Sequence, residues 1–191
     1  MADVILAGVG GQGNVLSTRI LAEVALQAGF DVKTSEVHGM AQRGGSVVCM
    51  VRWGREVHSP LIPRGRADFL LAFEILEGLR YLEYLRPGGT AVVNDCRLDP
   101  LTVLRGDARY PEDALEVIRA HADACVVLDA RETATRAGSP RALGSCLLGV
   151  LSRFLDFPAE AWDEALRRLV PFRAVDANLR AFAMGREGDG R

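Results

Sequence analysis

A glycine-rich loop near the start of the chain has the residue types and the spacing of an anion-binding site. It reads Gly8 Val9 Gly10 Gly11 Gln12 Gly13, the pattern G-x-G-x-x-G. An apolar run precedes it and an amphipathic stretch follows, and in this context the pattern predicts a phosphate or carboxylate site at a helix N-terminus. Such glycines also let a first helix pack closely on a sheet, so a loop that binds no ligand is the alternative.

A second loop combines basic, amide and thioether side chains between glycines. Its candidate residues for an active site or a subunit interface are His38, Gly39, Met40, Gln42, Arg43, Gly44 and Gly45. Arg43 can bind a carboxylate or phosphate of a ligand, or equally an acidic side chain of a partner chain. A structural histidine bonded to the backbone is the alternative for His38, and core packing is the alternative for Met40.

Glu36 is a candidate for the acidic residue that accompanies the glycine loop in dinucleotide-binding folds. Those folds place an acidic residue at the end of the second strand, roughly twenty residues after the glycines. Glu36 lies near the end of the predicted second strand, residues 31–37. Open α/β sheets bind ligands at the carboxyl ends of their strands, and both loops are predicted at that edge.

The elements that would position these loops alternate between strands and helices. Leu16, Ile20 and Val24 form one apolar stripe and predict the first helix. Further strands are predicted at residues 46–53, 68–73, 90–94 and 124–128, and helices at residues 74–85 and 111–122.

Two less regular regions and a helical end complete the predicted fold. A tight turn at residues 53–57 predicts a hairpin with a short strand after it, and residues 101–110 are interpreted as a short strand and turn. From residue 130 onward the pattern is helical, with leucines at intervals of four from Leu143 to Leu155. The fold class is therefore α/β, a Rossmann-like open, mostly parallel sheet with an inserted β-hairpin and a helical C-terminal end.

Size and composition predict one globular domain, residues 1–184, followed by a mobile tail, residues 185–191. The 191 residues are 49% hydrophobic and carry a net charge of −2, so no nucleic-acid partner is expected. No apolar run approaches the roughly twenty residues of a membrane span, which predicts a cytoplasmic chain with no membrane partner.

No metal-binding or catalytic pattern is present in the sequence. The 4 cysteines are spaced singly without a C-x-x-C pair, and the 3 histidines lack metal-ligand spacing. No serine has the context of a catalytic nucleophile. We therefore predict no catalytic residue, no metal and no cofactor held by this chain alone.

Two long stretches, residues 8–54 and 59–94, carry a resemblance to a known family. They resemble the beta subunit of indolepyruvate ferredoxin oxidoreductase and, more broadly, the gamma subunit or domain of 2-oxoacid:ferredoxin oxidoreductases, the pyruvate enzyme among them. The segment EVHGMAQRGGSV, residues 36–47, is far more specific than the glycine loop.

The resemblance implies an accessory subunit of a hetero-oligomer. A larger alpha subunit would hold thiamine diphosphate, magnesium and iron–sulfur clusters, decarboxylate the 2-oxoacid, form an acyl-coenzyme A and reduce ferredoxin. The glycine loop, residues 8–13, would approach a phosphate-bearing ligand or brace the partner, and His38, Gln42 and Arg43 would lie at or near the subunit interface. Leu61 and Ile62 are further interface candidates.

Two other functions remain open from the residues. One is a free-standing, nucleotide-binding Rossmann-like oxidoreductase that uses the glycine loop and Glu36 for NAD or FAD. The other is a scaffold subunit with an empty loop. A homodimer of the isolated chain is left open, because the leucine stripe of the helical end needs a core or a partner.

Overall fold

The computed structural model describes residues 1–39 and 45–188, and a 6-stranded sheet forms its centre. The strands are β1 (Ala2–Val9), β2 (Asp31–His38), β3 (Ser46–Gly54), β4 (Ala67–Ala72), β5 (Leu85–Asn94) and β6 (Ala124–Leu128). They lie in the order β2-β3-β1-β4-β5-β6. β3 runs antiparallel to both of its neighbours, whereas β1, β4, β5 and β6 pair in parallel. The prediction of a mostly parallel α/β sheet is confirmed.

Helices cover both faces of the sheet. They are α1 (Asn14–Gln27), α2 (Ile75–Tyr81), α3 (Leu101–Leu104), α4 (Ala114–His121), α5 (Ala130–Arg136), α6 (Leu143–Leu151), α7 (Ala159–Leu169) and α8 (Val175–Glu187). One face packs on α1 and α5–α8, and the other packs on α2 and α4. Val4 and Leu6 of β1 enter the first core and Ile5 and Ala7 enter the second, because successive side chains of a strand point to opposite faces.

The hairpin forms with a different partner from the one predicted. β3 folds back on β2, with Val37 opposite Val48, and no strand occurs in the described residues 55–66. Pro60 and Pro63 disfavour a regular strand there. The Asp31 carboxylate instead accepts a hydrogen bond from the Val57 backbone N–H at 2.8 Å, which holds this segment against the start of β2.

Another segment prediction is wrong, because residues 101–110 contain the one-turn helix α3 rather than a strand. Helix α8 extends through residues 185–187, the start of the predicted tail, and Gly185 is buried where α8 crosses α6. Residues 189–191 of the predicted tail lie outside the described residues.

The leucine stripe of the helical end is covered within the chain. Leu147 and Leu151 are fully buried in the core that also contains Phe182 of α8. The stripe by itself therefore does not require a second copy of the chain. Among residues 1–39 and 45–188, no helix has both the length and the apolar character needed to cross a bilayer.

Candidate functional site

The glycine loop connects the end of β1 to the start of α1 and leaves that helix without a side-chain cap. Gly13 occupies the N-cap position with φ 94°, and no side chain bonds to the first turn, which contains no acidic residue. Gly11 has the same φ of 94°. A side chain would be strained at either position. The N-terminal N–H groups of α1 therefore have no acidic or capping side chain beside them, the arrangement that attracts an anion.

Gly8 and Gly10 are glycines for different reasons. A Cβ at Gly8 would lie 2.7 Å from the Cβ of Phe73 and 2.8 Å from the Asn14 side-chain amide, so packing alone excludes a larger residue there. A Cβ at Gly10 would meet nothing closer than the Gly45 carbonyl oxygen at 3.7 Å. Internal packing therefore explains Gly8 but leaves room at Gly10.

Gln12 braces the loop from inside. Its Oε1 accepts a hydrogen bond from the Val9 N–H at 2.7 Å, and its Nε2 donates to the Phe73 carbonyl at 3.1 Å. Asn94 donates to the same carbonyl at 3.0 Å and accepts from the Ala130 N–H at 2.9 Å. These bonds tie the loop, the residue after β4, the end of β5 and the start of α5 into one network. Sequence reasoning did not single out Asn94, although a polar residue that ends an apolar strand was a signal for it.

The described flanks of the second loop lie against the first loop. The Gly10 N–H donates to the Gly45 carbonyl at 2.9 Å, and the Gly39 N–H donates to the Ser46 carbonyl at 2.7 Å. Met40, Gln42, Arg43 and Gly44 lie outside the described residues, so their roles remain predictions.

Both loops contribute to one open cavity of about 390 Å³, which we call the loop cleft. Its lining residues are Val9, Gly10, Gly11, Gly13, Asn14, Val15, His38 and Val47. The structure thus brings His38 to the glycine loop, whereas the side chain of Gln12 is used in the internal brace. The cleft combines an apolar wall, free helix N–H groups and one imidazole that can donate or accept a proton.

Glu36 is not part of the loop cleft. β3 lies between β1 and β2, so the strand that carries Glu36 is not the neighbour of the glycine-loop strand. In dinucleotide-binding folds those two strands are adjacent, which lets the acid reach the ribose. The Glu36 carboxylate instead lies 3.6 Å from Nε2 of His38. The geometry therefore does not favour a nucleotide-dependent dehydrogenase.

Leu61 and Ile62 have opposite environments. Leu61 is 58% exposed, whereas Ile62 is 3% exposed and belongs to the core on the α2 and α4 face. Leu61 remains an interface candidate. The prediction for Ile62 is wrong, because its apolar side chain is already buried within the chain.

A buried carboxylate organises the start of α2 beside the network at Phe73. Glu74 is 1% exposed and caps α2 by accepting the Glu77 N–H at 2.8 Å. Its other oxygen accepts the Leu98 N–H and the Tyr110 hydroxyl. Burial raises the pKa of the Glu74 carboxyl above its ordinary value of 4.5, despite these hydrogen bonds. Burial and the neighbouring Glu74 also raise the pKa of Tyr110.

The raised pKa of Glu74 predicts a measurable pH dependence of stability. Above pH 4.5 the unfolded carboxyl loses its proton while the folded one retains it up to its higher pKa. The folded state then binds more protons, so the Glu74 contribution to stability falls as the pH rises through this window. We expect the unfolding free energy of the wild type to decline relative to Glu74→Gln as the pH rises above 4.5. Urea unfolding of both proteins tests this, and a difference independent of pH would contradict it.

The cysteines do not form a metal site. No disulfide joins Cys49, Cys96, Cys125 or Cys146 in the described part of the chain, and burial raises the thiol pKa of the first three. Within residues 1–39 and 45–188, no group of three or more histidine, cysteine and acidic residues is arranged to hold a metal ion.

Comparison with known proteins identifies the family. The model of the pyruvate ferredoxin/flavodoxin oxidoreductase family matches residues 3–188, and the chain belongs to this family. A curated relative is the indolepyruvate oxidoreductase subunit IorB of Pyrococcus horikoshii. It is 38% identical over 188 residues, which cover 96% of this chain and 93% of that protein. The predicted accessory-subunit type is therefore confirmed.

Solved structures show the same fold. The gamma subunit of the keto/oxoacid ferredoxin oxidoreductase of Geobacter sulfurreducens has a TM-score of 0.72 and 25% identity, over 98% of this chain and 97% of that one. The 2-oxoglutarate:ferredoxin oxidoreductase of Magnetococcus marinus, solved with 2-oxoglutarate, coenzyme A and succinyl-CoA bound, has a TM-score of 0.73 at 22% identity. This chain matches 30% of that longer chain, so the fold also occurs as part of a larger polypeptide.

Proposed function

We propose that the chain is the accessory subunit of an indolepyruvate:ferredoxin oxidoreductase and binds a larger catalytic subunit in the cytoplasm. The observation that carries this proposal is the 38% identity to an IorB subunit over nearly the full length of both chains. The reaction would be the oxidative decarboxylation of a 2-oxoacid to an acyl-coenzyme A, with ferredoxin as the electron acceptor.

The larger subunit would hold the redox and thiamine chemistry. Thiamine diphosphate needs a divalent metal bound by protein oxygens, and iron–sulfur clusters need grouped thiolates. The residues that the structure describes supply no such group, and Cys49 and Cys146 are separately buried. We assign these cofactors to the larger partner subunit, as the family resemblance implies.

The loop cleft is the part of this chain that we place at the active complex. The uncapped N-terminus of α1 suits a phosphate, and the space beside Gly10 admits the approach of a ligand or a partner backbone. Coenzyme A, which carries phosphates and is bound in the Magnetococcus marinus enzyme, is the proposed ligand class. His38, Gln42 and Arg43 would contribute from the second loop.

Co-expression with the large oxidoreductase subunit of the same organism tests the proposal. We expect a stoichiometric complex that contains thiamine diphosphate and iron–sulfur clusters and reduces ferredoxin faster with indolepyruvate than with pyruvate or 2-oxoglutarate. A complex that prefers pyruvate or 2-oxoglutarate would overturn the substrate assignment alone. If the two chains did not associate, the accessory role would be wrong.

A further inference from the structure

A nearly buried carboxylate links the second loop to helix α2. Glu77 is 5% exposed, and its Oε2 accepts a hydrogen bond from the Ser46 hydroxyl at 2.5 Å. Its Oε1 lies 3.4 Å from Nε of Arg80, one turn further along the helix. Burying a carboxylate is unfavourable unless such partners compensate it. The contact therefore joins two elements that are 31 residues apart by a strong, charge-assisted hydrogen bond.

Ser46 lies at the position where the two loops meet. It begins β3 and pairs with Val9, the last residue of β1. Its carbonyl accepts from the Gly39 N–H, and the preceding residue Gly45 accepts from the Gly10 N–H. Any movement of Ser46 would therefore displace the rim of the loop cleft formed by these backbone groups.

The register of the strands does not need the Ser46 hydroxyl. Backbone hydrogen bonds with β1 and β2 fix β3, so alanine at this position would keep the pairing. The Ser46 hydroxyl and the Glu77 carboxylate add a side-chain connection from the cleft rim to the first turns of α2. The same end of α2 follows Phe73, whose carbonyl holds Gln12 of the first loop. One end of α2 thus supports both loops.

We propose that Ser46 and Glu77 are positioning residues that hold the rim of the loop cleft in the conformation that binds the larger subunit. This inference rests on the proposed function, because the cleft must lie at that interface. Loss of the hydrogen bond leaves the fold intact but leaves the rim to be held by backbone contacts alone. Formation of the complex then has to order the rim, and this entropic cost weakens the affinity for the larger subunit.

Four variants of the full chain, titrated against the purified large subunit, test the positioning role. Ser46→Ala removes the donor of the bond and Glu77→Ala removes its acceptor, whereas Ser46→Thr retains a hydroxyl. Ser145→Ala is the matched control, because the buried Ser145 hydroxyl donates to Asn178 at 2.7 Å in the packing of α6 on α8. Melting temperatures of all four are measured alongside the dissociation constants.

We expect Ser46→Ala and Glu77→Ala to raise the dissociation constant roughly tenfold, the effect of one lost charge-assisted hydrogen bond. Ser46→Thr should bind within about twofold of the wild type. Ser145→Ala should lower the melting temperature without changing affinity. The positioning role would be overturned if Ser46→Ala bound the large subunit with wild-type affinity, or if Ser145→Ala lost as much affinity as Ser46→Ala. The proposed function would stand in either case. If the wild-type chain did not bind the large subunit, the proposed function itself would be wrong.

Discussion

Replacement of Gly185 by alanine is expected to lower the free energy of unfolding by about 3 kcal/mol. A Cβ at Gly185 would lie 2.1 Å from the backbone carbonyl oxygen of Cys146, where α8 crosses α6. Gly149 has the reciprocal contact, 2.1 Å from the carbonyl oxygen of Phe182. Alanine favours a helix over glycine by about 1 kcal/mol, but a backbone overlap of this size requires the helices to separate. The steric effect should therefore exceed the gain in helix propensity.

Urea unfolding of Gly185→Ala and Gly149→Ala measures this cost. A suitable control is Gly10→Ala, since its Cβ would have no neighbour closer than 3.7 Å. We expect the midpoint to fall strongly for the two helix-crossing variants and to change little for the control. Equal midpoints in all three variants would mean that α6 and α8 are not held in this close crossing.

Gly10→Ala is expected to reduce ferredoxin reduction by the complex about tenfold or more while leaving the stability of the chain nearly unchanged. Gly10 lines the loop cleft, its φ lies outside the left-handed range, and the space for a Cβ is open. The methyl group would occupy the path by which a phosphate or a partner backbone approaches the N-terminus of α1. Gly10→Val should have a larger effect, because it extends further into the cleft.

The contrast with Gly8→Ala separates function from folding. At Gly8 the new Cβ would overlap Phe73, so this variant should lose activity by unfolding, with a lower melting temperature. Steady-state kinetics of the Gly10→Ala complex, with the large subunit in fixed amount, provide the measurement. Wild-type rates and Michaelis constants in both Gly10 variants would show that no ligand or partner enters the cleft.

Local sequence patterns predicted most of the strands and helices but not which strands pair with each other in the sheet. The apolar run before Gly8 and the stripe of α1 were sufficient for β1, the loop and the first helix. The place of β3 between β1 and β2 depends on tertiary pairing, which no local pattern encodes. This single pairing separates Glu36 from the glycine loop and moves the hairpin to the N-terminal side of β3.

The candidate site shows the same limit. Sequence spacing identified all the glycines of the first loop. Only the three-dimensional packing distinguishes Gly8, where a side chain would overlap Phe73, from Gly10, where a side chain has room. Asn94 and Glu77 carry no motif, and Ser46 lies in the segment EVHGMAQRGGSV without a predicted role of its own, because the roles of all three come from contacts between residues far apart in the sequence. Gly185 begins the predicted tail, an interpretation of the polar residues 185–191. The close approach of α6 explains why this position is a glycine.

The accessory role is tested most directly by titrating a fixed amount of the large subunit with this chain and recording indolepyruvate-dependent ferredoxin reduction. We expect little activity from either chain alone and a rate that rises to a plateau at an equimolar ratio. Full activity of the large subunit without this chain would contradict the accessory role. Ferredoxin reduction by this chain alone would contradict it equally.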